Sequence, residues 1–588
     1  MRLTRAGIAL IFFLMIACPL GALVSYAALT GTAIGPLSFG ARATTTPTAP
    51  GLPVAIATGT VAPAALPSAP PSAAPSTSPR SQPPLPSTAP TTGNTTATSA
   101  APRPSGAATG PTSTAAAPAV TAPTTPATAN LTVAYDSYAP YFPVRIAETQ
   151  GYYKARNLTI KQVPFGLGGD YNEEQRRAAL KSGTFDILLT TLDAVALFGD
   201  DQTGKVVALV DESAGADKIV VRPSIARLND LKGKRIAYST GSVGEFYLYA
   251  SLNLVGLKGS DVLLRPAESV DKAVDLFVRN EVDAVVGWEP TIQAALDSGG
   301  KLLLGTDNYR AILDVVVVST KALNEKPAAV QSFLDAWFQA VKLTTDDPQA
   351  AGAAVVRSGD TAWTGIKQPQ DFVDALSLVA QATLGQNTFA LQNPALLGGR
   401  LREIGTVWRA GGRPIADVDP TKLIVGSLAA KSNAAGGLGS SRPPVNATFS
   451  LTETIQLPQL TPGQLGQTQA VAELPLKQLA FRPNSAILTE QGRTDLATQV
   501  VPVLKQTPGL YLRIDGSAAQ PLGDTAQENE AFARQRAQAV IFYLLGQGID
   551  GNRLIEGYLK PQFPGSTDET QLIQDRRVVF TLVQVGGR

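Results

Sequence analysis

The chain has 588 residues, too many for one hydrophobic core, and a net charge of +2 from 49 basic and 47 acidic side chains. Two or three domains are expected, and the charge balance gives no argument for a nucleic-acid partner. There is no histidine and one cysteine, Cys18, which excludes Cys–His and Ser–His–Asp catalysis, Cys/His zinc sites and CxxC redox chemistry; neither a metal nor a cofactor is implied.

In chain order, Arg2 and Arg5 precede an uncharged run over residues 8–29. That run is long enough to span a bilayer, and its basic flank would keep the N-terminus cytoplasmic and send the rest out of the cell. Residues 1–30 are thus a signal anchor or signal peptide, and three readings stay open: an uncleaved anchor, cleavage after Ala27, or acylation of Cys18. The body of the chain has no thiol and forms no internal disulfide, which suits an oxidising compartment. Residues 43–129 are almost wholly Thr, Pro, Ala, Ser and Gly, with Arg80 and Arg103 as the only charges. Such a stretch cannot bury enough apolar surface to offset ordering entropy and reads as a disordered linker. As a flexible coil its root-mean-square span is roughly 50 Å.

At Leu131 the pattern changes. LTVAY, LTIKQVPF, FDILLTT, KVVALVDES, KIVVRP, KRIAYST, the DAVVGW run and ILDVVVVST read as strands, with helical segments between most of them. That alternation implies a parallel α/β sheet. From Lys326 to about Val425 the pattern is mainly helical. A linker over residues 427–471 leads to a separate α/β unit over 472–588. There the amphipathic TEQGRTDLATQVVPVLKQT and the long ENEAFARQRAQAVIFYLLGQG are helices, and LYLRIDG and RRVVFTLVQV are strands.

The segment 230–290 carries the most information. A strand runs into Thr240-Gly241-Ser242-Val243-Gly244 and then a helix. Helix starts expose N–H groups and the positive end of the macrodipole, and glycine lets a ligand approach closely, so this turn reads as a cradle for a small anion. A second unit ends in Trp288-Glu289-Pro290, an aromatic and an acid at a strand end.

Several short motifs recur in order: Gly151-Tyr152-Tyr153; Leu180-Lys181-Ser182-Gly183 with Phe185-Asp186; Ser213-Ala214-Gly215-Ala216-Asp217; Asp230-Leu231-Lys232-Gly233-Lys234; Gly241-Ser242-Val243; and Val282-Asp283-Ala284 before Trp288. On these, residues 131–425 resemble the nitrate/sulfonate/taurine-type periplasmic substrate-binding proteins of ABC importers. The resemblance implies a two-lobe periplasmic-binding-protein fold of type II, with lobe one at 131–220 plus 312–425 and lobe two at 221–310. Its crossovers are expected near 220–223 and 308–314. It also implies an ABC permease as partner. Some relatives of this fold make thiamine precursors using histidine, and a chain without histidine is not expected to do so.

Ligands of open α/β sheets sit at the carboxyl ends of strands. This nominates Tyr138 and Tyr141 after the first strand, Thr190 and Thr191 ending FDILLTT, and Ser213 and Asp217 after VVALVDE. It also nominates Gly241, Ser242 and Val243 at the helix start, and Trp288 and Glu289. Packing is the competing role for each aromatic, and an ordinary Ser N-cap for the helix start. Charge points two ways: the helix start favours an anion, whereas Asp217, Glu245, Glu289 and Asp314 favour a cation or a hydroxylated group. No arginine fork for a sulfonate or carboxylate is evident locally.

In the C-terminal unit Phe481, Asn484-Ser485, Ile514-Asp515-Gly516, Asn529, Arg536-Ala537, Gly557-Tyr558 and Arg576-Arg577-Val578 resemble the OmpA-like peptidoglycan-associating domain. The family holds the diaminopimelate group with an aspartate in a turn and with the arginine of the long helix. Here the turn reads Gly516-Ser517-Ala518-Ala519, so alanine stands at the aspartate position, while Asn529 and Arg536 match. Peptidoglycan binding and a degenerate contact module both stay open.

The expectation is an envelope-anchored, extracytoplasmic receptor, not an enzyme. It closes on a small polar or anionic solute and presents it to an ABC importer, while the OmpA-like unit touches wall or partner. The rivals are a membrane-anchored solute sensor or scaffold, a wall-tethering protein with a vestigial cleft, and a histidine-free enzyme using carboxylate acid–base chemistry.

Overall fold

The computed structural model describes residues 128–165, 173–198, 203–440, 448–476, 478–482 and 485–585. The N-terminal segment 1–30, the low-complexity stretch up to residue 127 and the matched Asn484 lie outside the described residues. Among the described residues no helix is long and apolar enough to cross a membrane.

Two sheets share one plan. The first runs β11-β4-β10-β3-β1-β2, from β1 (Ala129–Tyr135), β2 (Leu158–Pro164), β3 (Ile187–Thr191), β4 (Gly204–Ser213), β10 (Leu313–Ser319) and β11 (Val379–Gln381). The second runs β7-β6-β8-β5-β9, from β5 (Asp217–Val221), β6 (Arg235–Ser239), β7 (Leu263–Ala267), β8 (Ala284–Trp288) and β9 (Lys301–Gly305). β1 pairs parallel with β2 and β3, and β6 with β7 and β8. Each sheet also holds one antiparallel strand that arrives directly from the other: β5 follows β4, and β10 follows β9. Strands such as VVALV and DVVVV are buried on both faces, which is why they read as continuous apolar runs.

The chain therefore crosses between lobes at 214–216 and 306–312. The first crossing lies earlier than the sequence places it, because Gly215 at φ 134° turns the chain before KIVVRP begins. β5 consequently belongs to lobe two. Two further differences concern the second linker. The helix Ser427–Ala435 buries Leu428, Ala429 and Ser432 against lobe one, where Gln331 donates to Ser432 Oγ at 2.9 Å. At the other end, β12 (Thr468–Glu473) is already part of the C-terminal sheet. Between the poles of low propensity that suggested a linker, tertiary packing orders both ends.

That C-terminal sheet runs β12-β15-β13-β14, with β13 (Tyr511–Gly516), β14 (Leu554–Tyr558) and β15 (Val578–Val585). The helix Ala526–Gly546 crosses β13 and β14 so closely that a Cβ on Gly516 would stand 2.0 Å from the Ala533 carbonyl oxygen. Only glycine fits there.

Candidate functional site

The two crossings bring polar side chains from both lobes to one place. Ser213 ends β4 and donates to Asp217 Oδ2 at 2.6 Å. Thr306 follows β9; its Oγ1 lies 2.8 Å from Ser213 Oγ and accepts from the N–H groups of Gly215 (2.9 Å) and Asp217 (3.2 Å). Ser213, Thr306 and Asp217 are buried. One threonine hydroxyl thus fastens the two crossings together.

Beside this knot, lobe one presents acids and tyrosines. Asp314, the second residue of β10, stands opposite Asp211 of β4 and Thr191 of β3; Gln381 of β11 stands opposite Asp211. Tyr138 donates to Asp211 Oδ1 at 3.3 Å, and Tyr141 donates to Asp314 Oδ1. The two tyrosine rings meet edge to face, 5.2 Å between centroids. Asp211, Asp314, Gln381 and Tyr141 are buried, while Tyr138 and Thr191 are half-buried.

Burial sets the electrostatics. It drives the Asp211 carboxyl well above the ordinary carboxylate range, helped by the charges of Asp217 and Glu212 and opposed by the Tyr138 hydrogen bond. It does the same to Asp314, where the charge of Asp211 is the next cause. Asp217 is pushed up to about 6 by burial, against the Ser213 hydrogen bond and the charge of Lys218. The tyrosines Tyr138, Tyr141 and Tyr247 are held well above their usual range, by burial first and by neighbouring carboxylates second.

The helix start expected to cradle an anion is already occupied by its own chain. Ser242 Oγ accepts from Gly244 N–H at 3.1 Å, and Glu245 Oε2 accepts from Gly241 N–H at 2.7 Å. Arg413 grips the same carboxylate at 2.6 and 2.9 Å. Val243 packs against the core. Glu289 is tied to Lys218 at 2.6 Å. Trp288 stands opposite Asp217 across β5 and β8, and its ring lies against Gly244. Thr190 alternates with Thr191 and so lies on the opposite face of β3 from Asp314.

Of the nominated residues, the structure therefore gathers Tyr138, Tyr141, Thr191 and Asp314 in one row, and Ser213 with Asp217 at the crossing. Gly241, Ser242, Val243, Glu245 and Glu289 are engaged elsewhere. Asp211, Thr306, Gln381 and Tyr247 were missed. The signal for Asp211 was present: an Asp-Glu pair ends a strand that is otherwise apolar. Its neighbour Glu212 points to the other face, where Arg400 (3.2 Å), Arg310 (3.6 Å) and the Ser450 N–H (2.8 Å) surround it.

In the C-terminal unit, Asn529 donates to the carbonyls of Ala518 (2.8 Å) and Ala519 (2.9 Å), and Arg536 donates to that of Ser517 at 3.2 Å. The Arg536 guanidinium lies over Phe532 (4.7 Å) and Phe481 (5.2 Å). Both residues hold the 516–519 turn. A recess of about 530 Å³ between this sheet and lobe two is lined by Arg227, Glu473, Arg513, Asp515 and Arg577 among others. No group of three or more metal-ligating side chains is present among the described residues.

A family model described as NMT1/THI5 like matches residues 140–351. The taurine-binding periplasmic protein of Escherichia coli K12 is 27% identical over 214 residues, 35% of this chain and 63% of that protein. A putative aliphatic sulfonates-binding protein of the same organism is 32% identical over 126 residues, 18% of this chain and 38% of that protein. The chain thus spans less than two thirds of either relative. Among solved structures, the periplasmic aliphatic sulphonate binding protein of Escherichia coli aligns with a TM-score of 0.40 at 20% identity, covering 51% of this chain and 99% of that one. The nitrate-binding protein of Synechocystis PCC 6803 aligns with a TM-score of 0.39 at 11% identity, covering 55% and 92%.

Proposed function

We propose that the chain is an exported solute receptor and not an enzyme: its two lobes close on a small molecule and present it to an ABC permease. The observation that carries this reading is the knot of Ser213, Thr306 and Asp217. It sits where two crossings join two sheets of like plan, with buried polar side chains from both lobes around it. Closure about such a joint is a hinge motion, and a solute that contacts both lobes shifts the population toward the closed form. The sequence match to periplasmic binding proteins supports the same reading. In it, residues 1–30 hold the chain at the membrane and the C-terminal sheet touches wall or partner.

The test is calorimetry on the full chain against nitrate, taurine, alkanesulfonates, pyrimidines, amidines and small amines. One class is expected to bind and to raise the melting temperature by mass action. Silence across all of them overturns the receptor reading.

One observation favours a second reading, a membrane-anchored solute sensor. The Arg310 N–H donates to the Gln506 carbonyl at 3.2 Å, and Asn308 Nδ2 to Gln584 Oε1 at 3.0 Å. The second crossing is thereby bonded to the C-terminal unit, and closure would be felt there. Hydrogen exchange over residues 500–510 that changes on solute binding supports the sensor; exchange that changes only in the lobes removes it.

A further inference from the structure

A cleft that closes over a solute excludes water, so the polar atoms its walls leave unpaired state what the solute must bring. Gln381, Asp211, Asp314 and Thr191 stand opposite one another across β11, β4, β10 and β3. Residues directly opposite in antiparallel strands share a face, so the four form one row. Gln381, Asp211 and Asp314 are 3%, 0% and 3% exposed. Tyr138 and Tyr141 close the row by bonding Asp211 and Asp314.

Two acceptors in this row have no hydrogen-bond partner. One is Asp211 Oδ2. The other is Gln381 Oε1, whose amide nitrogen is spent on the Val210 carbonyl at 2.8 Å. On the lobe-two side the Tyr247 hydroxyl is also buried without a partner, in the field of Asp307 and Asp217. The nearby positive side chains are engaged with other acids: Lys218 with Glu289, Arg413 with Glu245, and Arg176 with Asp136. Arg310 and Arg400 serve Glu212 on the far face of β4. An anionic solute would bring further acceptors to a row of acids whose unpaired atoms are Asp211 Oδ2 and Gln381 Oε1. An ammonium or amidinium is donor-only, and aromatic rings attract it.

We propose that the cleft takes a small organic cation, its ammonium or amidinium group held by the Asp211 and Asp314 carboxylates and the Tyr138–Tyr141 pair, with Asp217 closing from the crossing. The proposal rests on the receptor reading and names the ligand class for it. A zwitterion such as taurine shares the cationic half, so the decisive comparison separates the two charges.

Burial raises the Asp211 and Asp314 carboxyls well above the ordinary carboxylate range, the charge of each neighbouring acid adding to it. The titratable groups around them are Tyr138, Tyr141, Asp193, Asp217 and Glu212, with Lys218 beside Asp217. Capture of a cation favours the ionised acids, so it releases protons and tightens as pH rises.

The test titrates the full chain with ethylammonium, tetramethylammonium and benzamidinium on one side and with ethanesulfonate and nitrate on the other, taurine standing between. At least one cation is expected to bind, with a heat that differs between buffers of different ionisation enthalpy, while the anions stay silent. Asp211→Asn and Asp314→Asn keep side-chain size and an acceptor for the tyrosines. Each is expected to lose tenfold or more in cation affinity with a melting temperature unchanged or raised, an outcome a merely structural role would not give. Binding of ethanesulfonate or nitrate without any cation overturns the inference and leaves the receptor reading standing. So do Asn variants that bind the cation as the native chain does. Silence with probes of both charges overturns the inference, and the receptor reading then stands or falls on the pyrimidines of the wider panel.

Discussion

Neighbouring acids in one strand have opposite fates. Glu212 is fully buried and ringed by Arg310, Arg400 and Ser450, which join the second crossing, the helix Pro394–Ala410 and the chain leading to the C-terminal unit. Glu212→Ala leaves two largely buried guanidiniums without that partner. A loss of about 3–5 kcal/mol in denaturant unfolding is expected. Asp217 gives a pH signature. Its folded pKa of about 6 lies above the ordinary 3.8, so the folded state holds more protons than the unfolded one in that window. The stability it contributes is full below pH 3.8 and lost as pH rises through about 6. That difference amounts to about 3 kcal/mol. Thermal unfolding from pH 4 to pH 8 should show it, and Asp217→Asn should flatten that part of the profile. Unchanged profiles in the two chains would show that Asp217 titrates normally. Part of the candidate site was legible at this scale: Asp314 was named for its charge, and Tyr138, Tyr141, Ser213 and Asp217 follow from strand ends. Asp211, Thr306 and Gln381 did not, because their roles arise from pairing between strands far apart in sequence.

The turn 240–245 shows what local pattern can and cannot disclose. Strand, glycine turn, Ser N-cap and helix were readable from residue types, and Gly241 indeed takes φ 71°. That Glu245 folds back onto the Gly241 N–H was not readable, since it depends on a side-chain rotamer fixed by Arg413 from a distant segment. Glu245→Gln keeps an acceptor for that N–H and should cost under about 1 kcal/mol. Glu245→Ala removes it and should cost roughly 1–3 kcal/mol in urea unfolding. Equal costs would assign the effect to charge alone. The misplaced first crossing has a similar origin. KIVVRP has the same apolar character as its predecessors, and only the turn at Gly215 tells which sheet it joins.

At the scale of the molecule, the sequence reads a linker over 427–471 between lobes and C-terminal unit, whereas packing, not propensity, orders 427–435 and 468–471. The C-terminal unit is joined to lobe two by Arg227–Glu473 at 2.9 Å and by Asn229, which bonds the Glu473 backbone in both directions. Apolar packing runs from the lobes into that unit without a break. Gly509 lies so near the second crossing that an added Cβ would meet the Asp307 carbonyl oxygen at 2.5 Å. Gly509→Val should therefore part unit from crossing and speed proteolysis between residues 448 and 467; equal cleavage rates would show the contact to be dispensable. Arg536→Gln should lower the melting temperature of the C-terminal unit, because the arginine braces the 516–519 turn. Retention on purified peptidoglycan that disappears in a variant still folded would assign the arginine to a ligand instead.

Thr306 has one more consequence. Two separate cords joining two bodies allow them to bend and also to twist about the line between them. Riveted together at one hydroxyl, the crossings at 214–216 and 306 act as a single pin. On the proposed closure, crossings fastened in this way would move together rather than independently, and lobe two would return to the same row of lobe one at each stroke.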